Sequence, residues 1–178
     1  MGFRKYASDY RLDKQLTGSG KVRTTAVYKG AWFTYCESPE AIRRLAITVI
    51  GCAVAVVALL LPMLFCNTLI SYTIYALLPM AFVLFPAYQL ILVGARLFRF
   101  KAPLTHEQKD QTEVGLRRGC LWLLILQGIH FIGCVVYCFT PGVQEGEWPI
   151  IICVAVSMGV AIFTMTLRNK AKTVEVQR

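Results

Sequence analysis

Charge is what this sequence most lacks, and it is missing in blocks. No Asp, Glu, Lys or Arg occurs from Leu45 to Ala95, from Gly119 to Gln144 or from Trp148 to Leu167. These blocks hold 51, 26 and 20 residues, 97 of the 178 in the chain. Such stretches exclude an ordinary water-soluble fold. With 56% hydrophobic residues and a mean hydropathy of +0.55, the composition also excludes a disordered chain. No two of the seven cysteines form a C-x-x-C pair, which removes the usual zinc and thiol-redox spacings. A phosphate loop is excluded too. Gly18-Ser19-Gly20-Lys21 has Gln15 where the pattern needs glycine and Val22 where it needs a hydroxyl, so it reads as a hairpin turn.

What is present is enough apolar length for four membrane crossings. A helix rises about 1.5 Å per residue, so a hydrocarbon core of roughly 30 Å takes about 20 residues. The longest block holds two crossings, divided at Cys66-Asn67-Thr68: helix one over Ile42–Phe65, entered from Pro39, and helix two over Ile70–Ala95. Helix three spans Gly119–Thr140 and stops at Pro141-Gly142, and helix four spans Trp148–Leu167. The expected fold is an all-α integral membrane protein of four transmembrane helices in two hairpins, with a small N-terminal cytoplasmic β-meander. Its segments are 1–38, 39–65, 66–69, 70–95, 96–118, 119–140, 141–147, 148–167 and 168–178. The first apolar run starts too late and runs too long for a cleaved signal peptide, so helix one is expected to stay in the mature protein.

Orientation follows from the basic residues. Segment 1–44 carries nine, 96–118 six and 168–178 four, which is all nineteen. The connections 66–69 and 141–147 carry none, and the second holds Glu145 and Glu147. The positive-inside rule therefore places both termini and the central loop in the cytoplasm, with the plasma membrane as the expected location. Arg43, Arg44, Arg96, Arg99, Arg117, Arg118 and Arg168 flank the spans and are candidate contacts for lipid headgroups of an anionic inner leaflet. The net charge of +9 is absorbed by that role, and no nucleic-acid module accompanies it.

Tyr10–Leu16, Lys21–Tyr28 and Ala31–Cys36 read as strands around turns at Thr17–Gly20 and Lys29-Gly30. The aromatics Tyr28, Trp32, Phe33 and Tyr35 would rest on the bilayer interface, the inner loop or a partner. Ser38-Pro39-Glu40 reads as a helix start, Thr105 to Gln108 as a capping box opening a helix that runs into helix three, and the tail after Arg168 as frayed.

At about 100° per residue, Cys120, Leu123, Gln127, His130, Cys134 and Cys138 share a stripe roughly 80° wide on helix three. His130 is the one titratable nitrogen inside a span. Gln127, His130, Cys134 and Cys138 are therefore the candidate functional stripe, as proton relay or soft-metal ligands. The competing reading is a packing face with Gln127 and His130 hydrogen-bonded across to Tyr or Ser. No acidic residue lies in any span and no catalytic constellation is recognisable, so no catalytic residue, metal or cofactor is assigned and a non-enzyme is expected. His106, Glu107, Asp110 and Glu113 read as a solvated helix face. Three roles are weighed: an accessory or structural subunit beside other membrane subunits or copies of itself, a small oligomeric transporter or channel using Gln127, His130 and helix two with Pro79 and Pro86, and, least favoured, a membrane enzyme with an inner-face site at His106, Glu107, Asp110 and Glu113. Cys66 and Cys138 fall near the same outer face, where a disulfide is conceivable.

Overall fold

Ser38 opens the first long helix in the manner its sequence suggests. Its Oγ accepts from the Ala41 amide at 3.2 Å, Pro39 occupies the first turn where no amide partner is needed, and Glu40 sits at the positive end of the helix dipole. The computed structural model describes residues 3–16, 22–66, 68–139, 143 and 146–176, so the expected turn at 17–20 and the expected stop at Pro141-Gly142 lie outside the described residues.

The helices are α1 (Pro39–Phe65), α2 (Leu69–Tyr72), α3 (Ile74–Arg99), α4 (His106–Lys109), α5 (Gly115–Phe139) and α6 (Trp148–Leu167). A π-helical stretch, Asp110–Val114, joins α4 to α5, so one helical rod of 34 residues runs from His106 to Phe139. Thr105 and Gln108 cap it reciprocally: Thr105 Oγ1 accepts from the Gln108 amide at 3.3 Å, and Gln108 Oε1 accepts from the Thr105 amide at 3.1 Å. Helix two departs from the expected single segment. It breaks at Thr73, where Thr73 Oγ1 returns to the Leu69 carbonyl at 3.0 Å and Ser71 Oγ meets Thr68 Oγ1 at 2.9 Å. Short hydroxyl side chains compete here with the helical ladder.

Four helices are long and apolar enough to cross a membrane. They form a ring in which α1 packs on α3 and α6, and α5 completes the square against the same two. The interior is lined by Val49, Ala53, Val83, Leu90, Leu123 and Ala161, all fully or nearly fully buried. The outside is apolar as well: Ile47, Phe82, Phe85, Trp122, Ile132 and Phe163 are all exposed. A bundle with apolar residues on both faces suits hydrocarbon as its solvent. There the helices gain little from hiding apolar surface, and close packing by small residues matters more. Gly94 on α3 lies so close to α1 that an added Cβ would meet Ile50 Cγ1 at 2.5 Å. Gly119 on α5 approaches α3 as tightly, with Leu90 Cδ2 at 2.7 Å.

Two small sheets sit at the end of the bundle that carries the termini and most of the basic residues, called the basic end below. β1 (Tyr10–Leu16) and β2 (Val22–Tyr28) form an antiparallel hairpin, Tyr10 opposite Tyr28 and Leu16 opposite Val22. β3 (Trp32–Tyr35) does not extend that meander. It pairs with β4 (Thr173–Val176), so the tail expected to fray is a strand instead, with Phe33 opposite Glu175. Phe33 also exchanges both backbone bonds with Leu104, at 2.9 and 2.7 Å. The chain's two ends and its central connection are thereby sewn together below the four helices.

Candidate functional site

The stripe on α5 turns inward. Cys120, Leu123, Gln127 and His130 are fully buried, Cys134 nearly so, and Cys138 is half-buried one turn further on. Opposite them α6 offers Ser157, whose Oγ lies 2.6 Å from Gln127 Nε2 and itself donates to the Val154 carbonyl at 2.7 Å. Gln127 Nε2 is also 3.5 Å from His130 Nδ1, and His130 Nε2 is 3.7 Å from Cys134 Sγ. With the imidazole proton on Nε2, amide, ring and thiol form one chain of donors and acceptors. Gln127 Oε1 is the exception: it is buried with no hydrogen-bond partner among the described residues. Leaving an acceptor unpaired in an apolar interior costs about 1–3 kcal/mol.

The structure therefore brings Gln127, His130 and Cys134 together and adds Ser157, which the sequence suggested only as an unnamed serine. No group of three or more His, Cys, Asp or Glu side chains is placed to hold a metal ion among the described residues. Cys66 is exposed, and Cys66 and Cys138 are both free thiols.

A second polar site lies at the far end of the bundle. Glu147, just ahead of α6, is buried at 1% exposure. The Tyr137 hydroxyl donates to its two carboxylate oxygens at 2.8 and 3.0 Å, and the Ile70 amide donates at 3.1 Å. One carboxylate thus joins α2, α5 and the start of α6. Read in sequence, Glu147 is half of an acidic loop; the faint signal for its role is its place immediately before Trp148-Pro149, where a helix dipole favours an anion.

At the basic end the acidic residues are likewise occupied. Asp110 accepts from the Tyr6 hydroxyl at 2.6 Å, and Glu107 accepts from Gln111 at 2.9 Å. Glu113 binds Arg117 at 2.9 Å through one oxygen and both the amide and hydroxyl of Thr173 through the other, at 3.1 and 2.6 Å. His106 Nδ1 faces Asp9 at 3.3 Å, and its backbone amide donates to the Tyr28 hydroxyl at 3.0 Å. The π-helical stretch, a wider turn, carries Asp110 and Glu113 to these partners. Phe33, Tyr35 and the Tyr28 hydroxyl meet the central connection between α3 and α5. Phe33 is buried beside His106 with Lys109 Nζ 4.1 Å above its ring, and Tyr35 is largely buried near Thr112. Burial pushes the Tyr35 phenol above its ordinary value, the Thr112 hydroxyl opposing. Desolvation also raises Tyr28, helped by Asp9 and opposed by its bond to the His106 amide.

No family model, curated protein or solved structure matches this chain. The reading of its role therefore rests on its own residues.

The basic side chains flanking the helices divide into three groups. Arg117 is tied to Glu113. Arg43, Arg44, Arg96 and Arg118 line open clefts between helix ends, Arg96 and Arg118 sharing theirs with Asp110. Arg99 is exposed, and Arg168 half-buried.

Proposed function

We propose that this chain is a multi-pass integral membrane protein acting as a non-enzymatic accessory or structural subunit of a membrane assembly, with both termini in the cytoplasm. The observation that carries the reading is the β1–β2 hairpin. It is anchored at its foot by two amide bonds to the Asp9 carbonyl, from Lys29 at 2.7 Å and Gly30 at 3.2 Å. Beyond that foot Leu12 and Val27 stay open, at 69% and 40% exposure. A two-stranded hairpin is marginal alone and gains stability from a surface to cover. Fixed at its base and uncovered along its length, it suits docking to another subunit. The polar groups around it hold this chain together, which leaves structure rather than chemistry as their work.

The test is to replace residues 11–27 with a short glycine linker that keeps Asp9 and Tyr28, then purify the tagged protein from native membranes in mild detergent. Loss of co-purifying subunits at unchanged thermal stability supports docking. Unchanged partners, or a clean homo-oligomer from the unmodified chain, sinks it.

The unpaired Gln127 Oε1 beside His130 favours a second reading, a small oligomeric transporter or channel whose route passes Gln127 and His130 near the proline-bearing α3. A Gln127→Ala, His130→Ala double variant that folds and leaves solute flux through reconstituted vesicles unchanged removes that reading.

A further inference from the structure

A cavity of about 660 Å³ opens at the basic end, between the first turn of α1 and the last turn of α3 and beneath β3. Part of its lining is apolar: Ile42 and Leu97 are buried, and Phe98 is exposed. Its mouth carries Arg43 and Lys101 with Glu37. Two cations and one carboxylate leave one net positive charge, the complement of a single phosphodiester. The volume lies in the ordinary range for a small-ligand pocket, roughly 300–1,000 Å³. The lining pairs cationic and apolar side chains, as a phospholipid pairs a phosphate with hydrocarbon.

We propose that this cavity is a specific site for one anionic phospholipid. Its phosphodiester meets Arg43 and Lys101, and the upper part of an acyl chain lies along Ile42, Leu97 and Phe98. The proposal rests on the membrane reading and goes beyond it, since it names one pair of basic residues among the many that flank the helices. A third cleft, of about 700 Å³, also carries two cations and one carboxylate, Arg96, Arg118 and Asp110, but Tyr6, Gln89 and Gln111 add polar groups to its lining. The neighbouring cleft provides a built-in comparison. It is smaller, about 290 Å³, and also carries two basic residues, Arg44 and Lys170. General attraction to a negative leaflet treats the two pairs alike. A shaped site does not.

The experiment is native mass spectrometry of the full-length protein from mild detergent, with phosphatidylglycerol and phosphatidylcholine supplied in equal amounts. Wild type is expected to retain one phosphatidylglycerol in preference to phosphatidylcholine. A direct charge pair in a half-open cleft is worth up to about fivefold in binding, so Arg43→Ala with Lys101→Ala should weaken that retention by up to about twenty-five-fold. Arg44→Ala with Lys170→Ala should leave it unchanged. Equal loss in both double variants, or no loss in the first, overturns the proposal. So does competition by soluble glycerophosphate as strong as by the lipid, because the acyl wall would then contribute nothing. Should Arg43→Ala with Lys101→Ala fail to fold, Leu97→Asn read against the same lipids takes its place, with a selective loss expected and no loss overturning the site. Alkaline carbonate extraction of native membranes separates the two levels. Release of the chain overturns the membrane reading and this proposal with it, whereas retention without lipid preference overturns this proposal alone.

Discussion

The Tyr137 hydroxyl reaches both carboxylate oxygens of Glu147, at 2.8 and 3.0 Å, across the far end of the bundle. Hydrogen bonds to an ionised acceptor are worth about 1.5–3 kcal/mol, and a buried carboxylate depends on them. Tyr137→Phe deletes the donor that both oxygens share while keeping the ring, and should cost about 2 kcal/mol. Glu147→Gln removes the charge yet keeps a carbonyl for the Ile70 amide, and should cost less. Thermal unfolding in detergent ranks the two, and the reverse order would contradict the role assigned to the carboxylate.

The Gln127 amide gives a second ranking. Ser157→Ala takes away the 2.6 Å partner of Gln127 Nε2 and leaves it only the long 3.5 Å contact to His130 Nδ1, an expected loss of about 1–3 kcal/mol. Gln127→Leu discards the unpaired Oε1 along with the bond, so its cost should be smaller than that of Ser157→Ala. Unfolding midpoints for both variants, measured under one detergent condition, decide it. A larger loss for Gln127→Leu would mean that Oε1 is paired in the folded protein.

Much of this architecture is legible in the sequence, because hydropathy reports what each segment can face. Absent charge delimits the four long helices, and the helical period of about 100° gathers Gln127, His130 and Cys134 onto one stripe. What hydropathy misses is pairing over distance. Nothing local to Thr173–Val176 shows that its partner is Trp32–Tyr35, since the bonds that make it a strand come from the other end of the chain. The same holds for Glu147. Its charge reads as exposure until Tyr137 and the Ile70 amide are placed around it. At Thr73 the sequence is apolar enough to continue a helix, yet the helix breaks there amid the hydroxyl bonds of Thr68, Ser71 and Thr73.

Close packing of α1 on α3 makes its own prediction. A methyl at Gly94 would meet Ile50 Cγ1 at 2.5 Å and the Ala46 carbonyl oxygen at 3.2 Å, and that backbone cannot swing aside. Gly94→Ala should therefore cost about 1–3 kcal/mol, the usual range for overpacking. Gly128 on α5 has nothing within 4 Å of an added Cβ. There the same substitution should be neutral or stabilising by up to about 1 kcal/mol through helix propensity. Paired melts of the two variants separate a helix contact from a general intolerance of change.

Alkaline pH should loosen the basic end before the bundle. The phenols of Tyr28 and Tyr35 both lie above the ordinary tyrosine value of 10.0, chiefly through burial. A raised value in the folded state means the neutral phenol is favoured there. Its contribution is fully present below the unfolded value and is lost as pH climbs through the folded one. Ultraviolet titration should show a late-ionising group of tyrosines that loses one member in Tyr28→Phe and one in Tyr35→Phe. Ionisation of all tyrosines in one step near pH 10 would contradict the packing of these rings.

The proposed orientation can be read from two thiols that the fold leaves exposed. Cys36 follows β3 at the basic end, whereas Cys66 follows α1 at the opposite end. Positive charge is held on the cytoplasmic side, and all nineteen basic residues lie in the three segments at the Cys36 end. A membrane-impermeant maleimide should therefore label Cys66 in intact cells and Cys36 only after permeabilisation. Variants that each keep only one of the two, the other and the half-buried Cys138 changed to serine, make the assignment direct. Serine costs little at an exposed position, and Cys120 and Cys134 are buried within the bundle. Labelling of Cys36 in intact cells would invert the topology, and with it the side on which the hairpin and the lipid cavity meet their partners.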